Sequence, residues 1–186
     1  GLLNKTIGGP SVKPYQPEGL WKINGAKYEE DKGEKLYRKS MYTVWKRSVP
    51  HPTIATFDAP ERSFCAVRRQ ETNTPLQALV MLNDPTYVEA SRVLGNSMLA
   101  YDNPKEGISK VFRKLTGRKI QQEELQLLAQ LQQGEYKKFK ENRNKAKGWL
   151  NTGEFRVSKA EDGALIAANA VVASTILNSD ATITKR

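Results

Sequence analysis

The residue types most able to do chemistry are concentrated in one segment, residues 51–85. It contains the only histidine of the chain, His51, and the only cysteine, Cys65. A histidine held between two prolines could act as a general base, and positive charge near a thiol lowers its pKa and raises its reactivity. One hypothesis is therefore a nucleophilic pair of His51 and Cys65. The alternative is a hydrogen-bonded structural histidine and a small buried thiol, which are more common.

Three arginines, Arg62, Arg68 and Arg69, lie close to this cysteine in the sequence. We predict that they belong to a helix capped by Asp58, on which Arg62 and Arg69 share a face because they are seven residues apart. Two guanidinium groups on one face suit a carboxylate or a phosphate-like anion. The alternative is pairing with carboxylates of the same segment, in which case the arginines organise loops. The candidate functional cluster, to which no catalytic role is assigned, comprises His51, Asp58, Arg62, Arg68, Arg69, Asn73 and Asp84.

The sequence lacks the motifs of several common enzyme and cofactor classes. One histidine and one cysteine cannot supply the ligands of a nitrogen–sulfur zinc site, so no metal site is expected. There is no Cys-x-x-Cys-His motif for haem c, no glycine-rich phosphate loop, no nucleophile elbow and no zincin motif. We therefore expect no cofactor in this chain, and the residues alone leave open whether it is an enzyme.

Helix-start signals recur through the region that carries these residues. Ser, Thr, Asp and Asn accept hydrogen bonds from the first N–H groups of a helix, and proline is favoured at the first helical position. A Glu or Gln three residues after the capping residue completes a capping box. On these signals we predict helix starts at Asp58, Thr74, Asp84, Asn103, Gln121 and Ser158, with the Gln121 helix running to about residue 144.

The spacing of apolar residues predicts which helix faces are buried. Ile108, Val111, Phe112 and Leu115 recur at the helical period, and Gly117 follows as a C-terminal stop. Short linkers make consecutive helices neighbours, so we predict a mainly α fold, an irregular helical bundle. Comparable stripes are Leu125, Leu128, Leu131 and Phe139 on the next helix and Leu165, Ala168, Val172 and Ile176 on the last.

Residues 1–57 differ from the helical part because they are rich in proline and glycine. We predict a long ordered arm pinned by aromatic residues such as Tyr15 and Trp21, with disorder as the alternative. The stretch 36–48 fits a helical face or a strand, and its aromatic and β-branched content favours one short strand. The prolines that follow predict a non-helical stretch. The arm and the bundle, residues 58–186, form one predicted domain over the whole chain.

The net charge of +10 comes from two parts of the sequence, an excess of four positive charges in residues 1–60 and of six in residues 101–150. Residues 137–147 contain six Lys or Arg residues and one Glu. This run is either a solvated, lysine-rich helix end or a basic surface for an anionic partner. That partner could be a sulfated or carboxylated polysaccharide, a membrane surface or nucleic acid. The sequence has no apolar run long enough to span a bilayer, so we expect no transmembrane segment in this chain.

Four stretches of the sequence are together similar to one known family. They are IGGPSVKPYQPEGLW near the start, LYRKSMYTVWKRSVPHPTIATFDAPERSFCAVRRQETNTPLQALVMLNDPTYVEASR in the middle, LTGRKIQQEELQLL at 115–128 and ILNSDATITKR at 176–186. In this order they closely resemble the planctomycete surface domain, domain of unknown function 1553. The resemblance extends over essentially the whole chain, which we expect to be the C-terminal part of a larger family domain.

The resemblance implies a setting rather than a reaction. Family members are found at the C-terminus of large exported bacterial proteins, many of them with an upstream cytochrome c-like domain. This implies a periplasmic or cell-surface location, with haem c only in an upstream domain. It also implies upstream domains and anionic polysaccharide as partners, and not nucleic acid, for which no recognition motif is present. The expected role is a structural or interaction module; the alternative is an enzyme module acting on polysaccharide, with a site shared with upstream domains.

Overall fold

The regular secondary structure of this chain is helical. The computed structural model describes residues 1–22, 27–60, 65, 67–68, 71–156 and 162–184. Within these ranges there is no β-sheet, and the predicted mainly α fold is confirmed. The α-helices are α1 (Pro52–Thr56), α2 (Pro75–Asn83), α3 (Pro85–Ser97), α4 (Pro104–Thr116), α5 (Gln122–Glu141), α6 (Arg143–Asn151), α7 (Gly163–Leu177) and α8 (Asp180–Ile183).

Residue contacts divide the chain into two units, residues 1–77 and 78–186. The division falls inside α2, so that the first unit holds the N-terminal arm and α1, and the second holds α3 to α8. The prediction of one domain, with an arm over residues 1–57, stays a prediction.

The strand predicted over residues 36–48 is wrong. A strand needs a continuous partner for its hydrogen-bond ladder. The arm runs beside this segment at separate places only, because Gly8 and Gly9 turn it in between with φ angles of 82° and 86°. Among the described residues, this segment forms short 3-10 helices at Gly33–Tyr37 and Ser40–Tyr42. The arm pairs with it only through two isolated parallel bridges, Asn4 with Arg38 and Val12 with Thr43.

Arg38 holds the N-terminal arm by gathering its backbone carbonyls. Its Nη2 donates to the carbonyl oxygens of Thr6, at 3.1 Å, and of Gly8, at 2.5 Å, and its Nη1 reaches that of Pro10 at 3.3 Å. The guanidinium carbon lies 3.7 Å from the centre of the Tyr42 ring. One arginine therefore satisfies three carbonyls of a segment that has no regular structure of its own.

The stretch around Pro52 is helical, contrary to prediction. Pro52 is the first residue of α1, a position where its missing N–H costs nothing and its fixed φ is suitable. The helix ends at Thr56, and Asp58 then has a φ angle of 57°. An N-cap residue is extended, so Asp58 does not cap a helix, and that prediction is wrong. The rest of the helix predicted to follow it, at 61–64, 66 and 69–70, lies outside the described residues.

Helix α7 is the centre of the second unit and contacts α3, α4, α5 and α6. Its alanines at 167, 168, 170 and 173 are fully buried and allow close approach. Gly95 of α3 lies so near that a Cβ atom there would be 2.6 Å from the backbone nitrogen of Ala170. The predicted stripe of Ala168, Val172 and Ile176 is buried, but α7 is buried on most of its circumference. Leu165 is half-buried.

Most of the predicted caps are confirmed. The Asp84 side chain accepts a hydrogen bond from the Thr86 N–H at 2.9 Å, and Asn103 accepts one from the Lys105 N–H at 3.0 Å. Gly117 ends α4 with a φ angle of 77°. The apolar stripe of α4 is also confirmed, because Ile108, Val111 and Phe112 are buried. These signals act within one turn of the chain, which is why sequence alone reveals them.

Two helix boundaries differ from prediction. The long helix ends at Glu141 instead of near residue 144, because Asn142 leaves the helical conformation and its side chain caps α6 by accepting from the Lys145 N–H at 3.3 Å. The last long helix was expected to start at Ser158, but residues 157–161 lie outside the described residues. The start that the structure describes is at Gly163, where Asp162 accepts from the Ala164 N–H at 3.0 Å.

Candidate functional site

His51 is buried, with 6% of its surface exposed, and it fastens the N-terminal arm. Its Nε2 atom lies 2.8 Å from the carbonyl oxygen of Tyr15. A carbonyl oxygen only accepts hydrogen bonds, so Nε2 carries the proton and donates it. This bond gives the ring a structural role.

Asp58 belongs to a group of polar side chains that bond to one another, which we call the polar knot: Asp58, Thr72, Thr74 and Gln77. Both oxygens of the Asp58 carboxylate accept from the Thr72 hydroxyl, at 3.0 and 2.8 Å, and one accepts from the Thr72 N–H at 2.8 Å. Gln77 completes the knot, with 1% of its surface exposed. Its Nε2 donates to the Thr56 carbonyl oxygen at 2.9 Å and to the Thr72 hydroxyl at 3.0 Å.

Gln77 also forms the predicted capping box at the start of α2. Its Oε1 accepts from the Thr74 N–H at 2.9 Å, and its own N–H donates to the Thr74 hydroxyl at 3.3 Å. The buried Gln77 amide therefore caps the start of α2 and also donates hydrogen bonds to residues 56, 58 and 72. The knot stabilises the fold, because each of its buried polar atoms has a partner inside the protein.

The other members of the predicted cluster lie in different places, and the cluster as a whole stays a prediction. Arg62 and Arg69 lie outside the described residues, and Arg68 is exposed. Asn73 is exposed too, whereas Asp84 caps α3 in the second unit. Cys65 is exposed, so the expectation of a buried thiol is wrong. Cys65, Val67 and Arg68 are exposed and are not helical.

A buried charged pair on α3 was missed by sequence reasoning. Arg92 is 0% exposed, and its Nη2 donates to the carbonyl oxygens of Thr152 and Phe155 at 3.1 and 2.5 Å. Glu89 lies 3.6 Å from this Nη2 and accepts from the Phe155 N–H at 2.6 Å. Gly153 turns beside the Glu89 carboxylate with a φ angle of 81°. The spacing of Glu89 and Arg92 was the available signal, but charged pairs three residues apart are mostly exposed.

The basic run of residues 137–147 lines an open hollow in the second unit. The hollow has a volume of about 480 Å³ and lies between the α5–α6 corner and the first turn of α7. Three cationic side chains, Lys140, Arg143 and Lys147, line it. Its apolar lining comes from Ala146, Leu150 and Ala164. We call this feature the cationic hollow.

One carboxylate, that of Asp162, also lines the cationic hollow. It accepts from the Tyr136 hydroxyl at 2.7 Å and from the Ala164 N–H at 3.0 Å. Burial would raise the pKa of Asp162, but these hydrogen bonds, a further backbone bond from Leu165 and the charge of Lys140 together bring the pKa below its ordinary value. Asp162 is therefore ionised at neutral pH. Among the lining residues that the structure describes, three positive charges and one negative charge give a net charge of +2.

The cations of the hollow differ in how they are held. The Lys140 ammonium lies 4.7 Å from the centre of the Tyr136 ring, and its hydrogen bond to Tyr136 is the main cause of its raised pKa. Within the described part of the chain, the side chains of Arg143 and Lys147 make no hydrogen bond and no ion pair. By contrast, Lys138 is paired with Glu135 at 2.7 Å. Two of the three lining cations are thus unpaired as far as the described residues go.

Among the residues that the structure describes, no three His, Cys, Asp or Glu side chains are grouped so as to hold a metal ion. None of the described helices combines the length and the apolar composition that crossing a membrane requires.

The described residues have a mainly α fold, with an N-terminal arm and the polar knot in the first unit and the cationic hollow in the second. Residues 1–132 match the family PSD1, protein of unknown function (DUF1553). The chain belongs to this family, as the sequence resemblance predicted. No curated protein and no solved structure matches the chain. The family match ends within α5, so the cationic hollow lies beyond it, and the resemblance of residues 176–186 stays a prediction.

Proposed function

We propose that this chain is a non-catalytic interaction module that binds anionic polysaccharide through the basic surface of residues 137–147, which includes the cationic hollow. One observation carries the proposal: Arg143 and Lys147 line an open hollow, and neither side chain has a partner among the residues that the structure describes. Charged side chains without partners are common on surfaces, but here they converge on a concave feature of about 480 Å³. Small-ligand sites are concave, with volumes of about 300–1,000 Å³.

The polar groups that the sequence offered for catalysis support the non-catalytic part of the proposal. His51 donates through Nε2 to a backbone carbonyl, and its ring is buried while Cys65 is exposed. A general base must reach the proton that it abstracts. Asp58 is likewise occupied by the N–H and hydroxyl of Thr72. These groups serve the structure of residues 1–77.

The lining of the hollow favours a sugar ligand over the other anionic partners. A pyranose ring has apolar C–H faces, which suit the lining of Ala146, Leu150 and Ala164, and its acidic substituent suits the cations at the rim. Sequence-tolerant binding of single-stranded nucleic acid relies on exposed aromatic rings for stacking. The ring of Tyr136 beside the hollow is instead engaged by Lys140. A flat membrane surface would contact the rim without filling the hollow.

The wider setting of the module is also part of the proposal and is supported by the family resemblance. We place the chain in an exported protein, in the periplasm or at the cell surface, with haem c in an upstream domain. Upstream domains of the same polypeptide are the expected protein partners. Cell fractionation of the full-length protein tests this setting, and a cytoplasmic location would contradict it.

Binding to immobilised polysaccharides tests the function directly. The protein is applied to a polyuronate, a singly sulfated galactan and a neutral glucan at salt concentrations from about 10 mM to about 1 M, over which the screening length falls from about 30 to about 3 Å. We expect retention on both anionic polymers at low salt, elution at high salt and no retention on the neutral one. No binding to either anionic polymer at low salt would overturn the proposal. Tighter binding to a DNA oligomer or to anionic vesicles would also overturn it.

A further inference from the structure

The proposed function leaves open whether the basic run binds polysaccharide as a diffuse positive surface or at one defined position. We infer that the cationic hollow is a subsite for a single acidic pyranose residue, with its carboxylate or sulfate between Arg143 and Lys147 and its ring against the apolar lining. This inference rests on the proposed function and adds the location and the chemical class of the bound residue.

The first argument is the geometry of α6. Arg143 and Lys147 are four residues apart on this helix, so their side chains lie on the same face. Two like charges at this spacing repel each other and destabilise a helix. Within the described residues no carboxylate pairs with either of them. An external anion between the two removes the repulsion and accepts hydrogen bonds from a guanidinium and an ammonium group, which are strong when both partners are charged.

The second argument is the break between α5 and α6. Asn142 ends one helix and caps the next, so the basic run is bent and not continuous. Lys140 at the end of α5 and Lys147 on α6 therefore line one concavity. A straight helix over the whole run would distribute its cations around its circumference. Because of this bend, cations from both helices line the same concave surface.

The third argument is the Asp162 carboxylate, which lines the hollow together with the cations. Asp162 caps α7 and accepts from the Tyr136 hydroxyl, yet the residue is exposed. Its negative charge favours sugar hydroxyl groups, which donate hydrogen bonds, and repels a second anionic group on the same residue. The site therefore suits a residue with one acidic group and neighbouring hydroxyls, such as a uronate or a monosulfated hexose. It disfavours densely sulfated chains.

Two triple variants with equal charge loss separate the subsite from diffuse attraction. The first replaces the lining cations, Lys140→Gln, Arg143→Gln and Lys147→Gln. The second replaces three cations of the same run that do not line the hollow, Lys137→Gln, Lys138→Gln and Lys145→Gln. The probes are a polyuronate oligosaccharide and a monosulfated galactan oligosaccharide, each measured by titration calorimetry. We expect the lining variant to lose about tenfold or more in affinity and the control variant about threefold or less, since in this proposal only the lining residues make short charge-assisted hydrogen bonds to the sugar.

The outcomes of this experiment test the subsite and the polysaccharide-binding function separately. Equal losses in the two variants would overturn the subsite and leave the polysaccharide-binding function standing. No binding by the unaltered protein would overturn both. Thermal melting checks that the variants are folded. If the lining triple variant does not fold, the double variant of Arg143 and Lys147 against that of Lys137 and Lys145 decides the same question. The two probes also show whether carboxylate or sulfate is preferred.

A conservative change at Asp162 provides an independent readout. Asparagine caps helices as well as aspartate does, so Asp162→Asn keeps the start of α7 while removing the negative charge. We expect this variant to bind a densely sulfated, heparin-like chain several-fold more tightly than the unaltered protein does, since the repulsion beside the cations is gone. Unchanged affinity for the heparin-like chain would mean that the ligand does not occupy the hollow, and the inference would fail.

Discussion

The polar knot and the cationic hollow are both dense in polar residues, but their side chains are used in opposite ways. In the knot, Asp58 and Gln77 bond to groups of the protein itself. In the hollow, Arg143 and Lys147 have no such partner among the described residues. The difference teaches that rare or reactive residue types do not by themselves mark a site. Whether their hydrogen-bonding groups are already occupied is the better guide.

The two regions also differ in whether their side chains need internal hydrogen-bond partners for the protein to be stable. Burying the Gln77 amide would be unfavourable without its bonds, so its partners are needed for stability. Arg143 is exposed and stays hydrated, so it needs no internal partner. The knot is therefore expected to respond to mutation through folding and the hollow through binding.

The largest expected effect contrasts two arginines of the second unit. Arg92→Met should lower the free energy of unfolding by about 3–5 kcal/mol, because it leaves the buried Glu89 carboxylate without its cation. Arg143→Met, on the exposed face of α6, should change it by no more than about 0.5 kcal/mol. Urea unfolding followed by circular dichroism measures both. Similar losses of unfolding free energy in the two variants would contradict the distinction between internally bonded and solvent-exposed cations.

The next effect tests the polar knot itself. Gln77→Ala removes an amide that bonds to Thr56, Thr72 and Thr74, and should lower the free energy of unfolding by about 2–3 kcal/mol. Gln130→Ala, at an exposed position on α5, is the matched control and should have an effect below about 0.5 kcal/mol. Affinity for the acidic oligosaccharides should be the same in both. A loss of binding without a loss of stability in Gln77→Ala would show that the knot is itself a ligand site.

A smaller effect is expected at the border of the cationic hollow. Tyr136→Phe removes the hydroxyl that donates to the Asp162 carboxylate and should lower the free energy of unfolding by about 0.5–1 kcal/mol. Tyr101→Phe, on a tyrosine ring near Lys110, serves as a control for removing a hydroxyl elsewhere. Urea unfolding of the two variants measures the difference between their free energies of unfolding. An unchanged stability in Tyr136→Phe would mean that Asp162 is held by its helix alone.

The smallest effect is the pH dependence contributed by Asp162. The pKa of this carboxyl is lower in the folded protein than its ordinary value of 3.8. Its contribution to stability is therefore fully present above pH 3.8 and is lost as the pH falls through the lower folded value. Thermal melts from pH 7 to about 2 should show a smaller acid-induced loss in Asp162→Asn than in the unaltered protein. Identical pH profiles would contradict the ionised, bonded state of this carboxylate.

Features that depend on neighbours within a few residues could be predicted from the sequence. The caps at Thr74, Asp84 and Asn103, the stop at Gly117 and the buried stripe of α4 are of this kind. Each is decided by hydrogen bonds or side-chain directions within about one helical turn, so the local residue types contain enough information.

Features that depend on distant partners could not be predicted. Asp58 looked like a helix cap, but its carboxylate bonds to Thr72, fourteen residues away. The stretch 36–48 looked like a strand, but the arm does not run beside it continuously. The candidate cluster was placed by residue type, and the structure connects Asp58 to Gln77, which was not in it.

The sequence by itself determined that this protein is a mainly α member of its family with a basic run near residue 140. The reason is that helix periodicity, capping residues and charge density are all local properties of the chain. Only the tertiary structure decided that the histidine and aspartate of the first unit are internally bonded and that the basic run lines a hollow. These outcomes depend on which distant groups meet, and the bend at Asn142 together with the docking of α7 determines that for the cations.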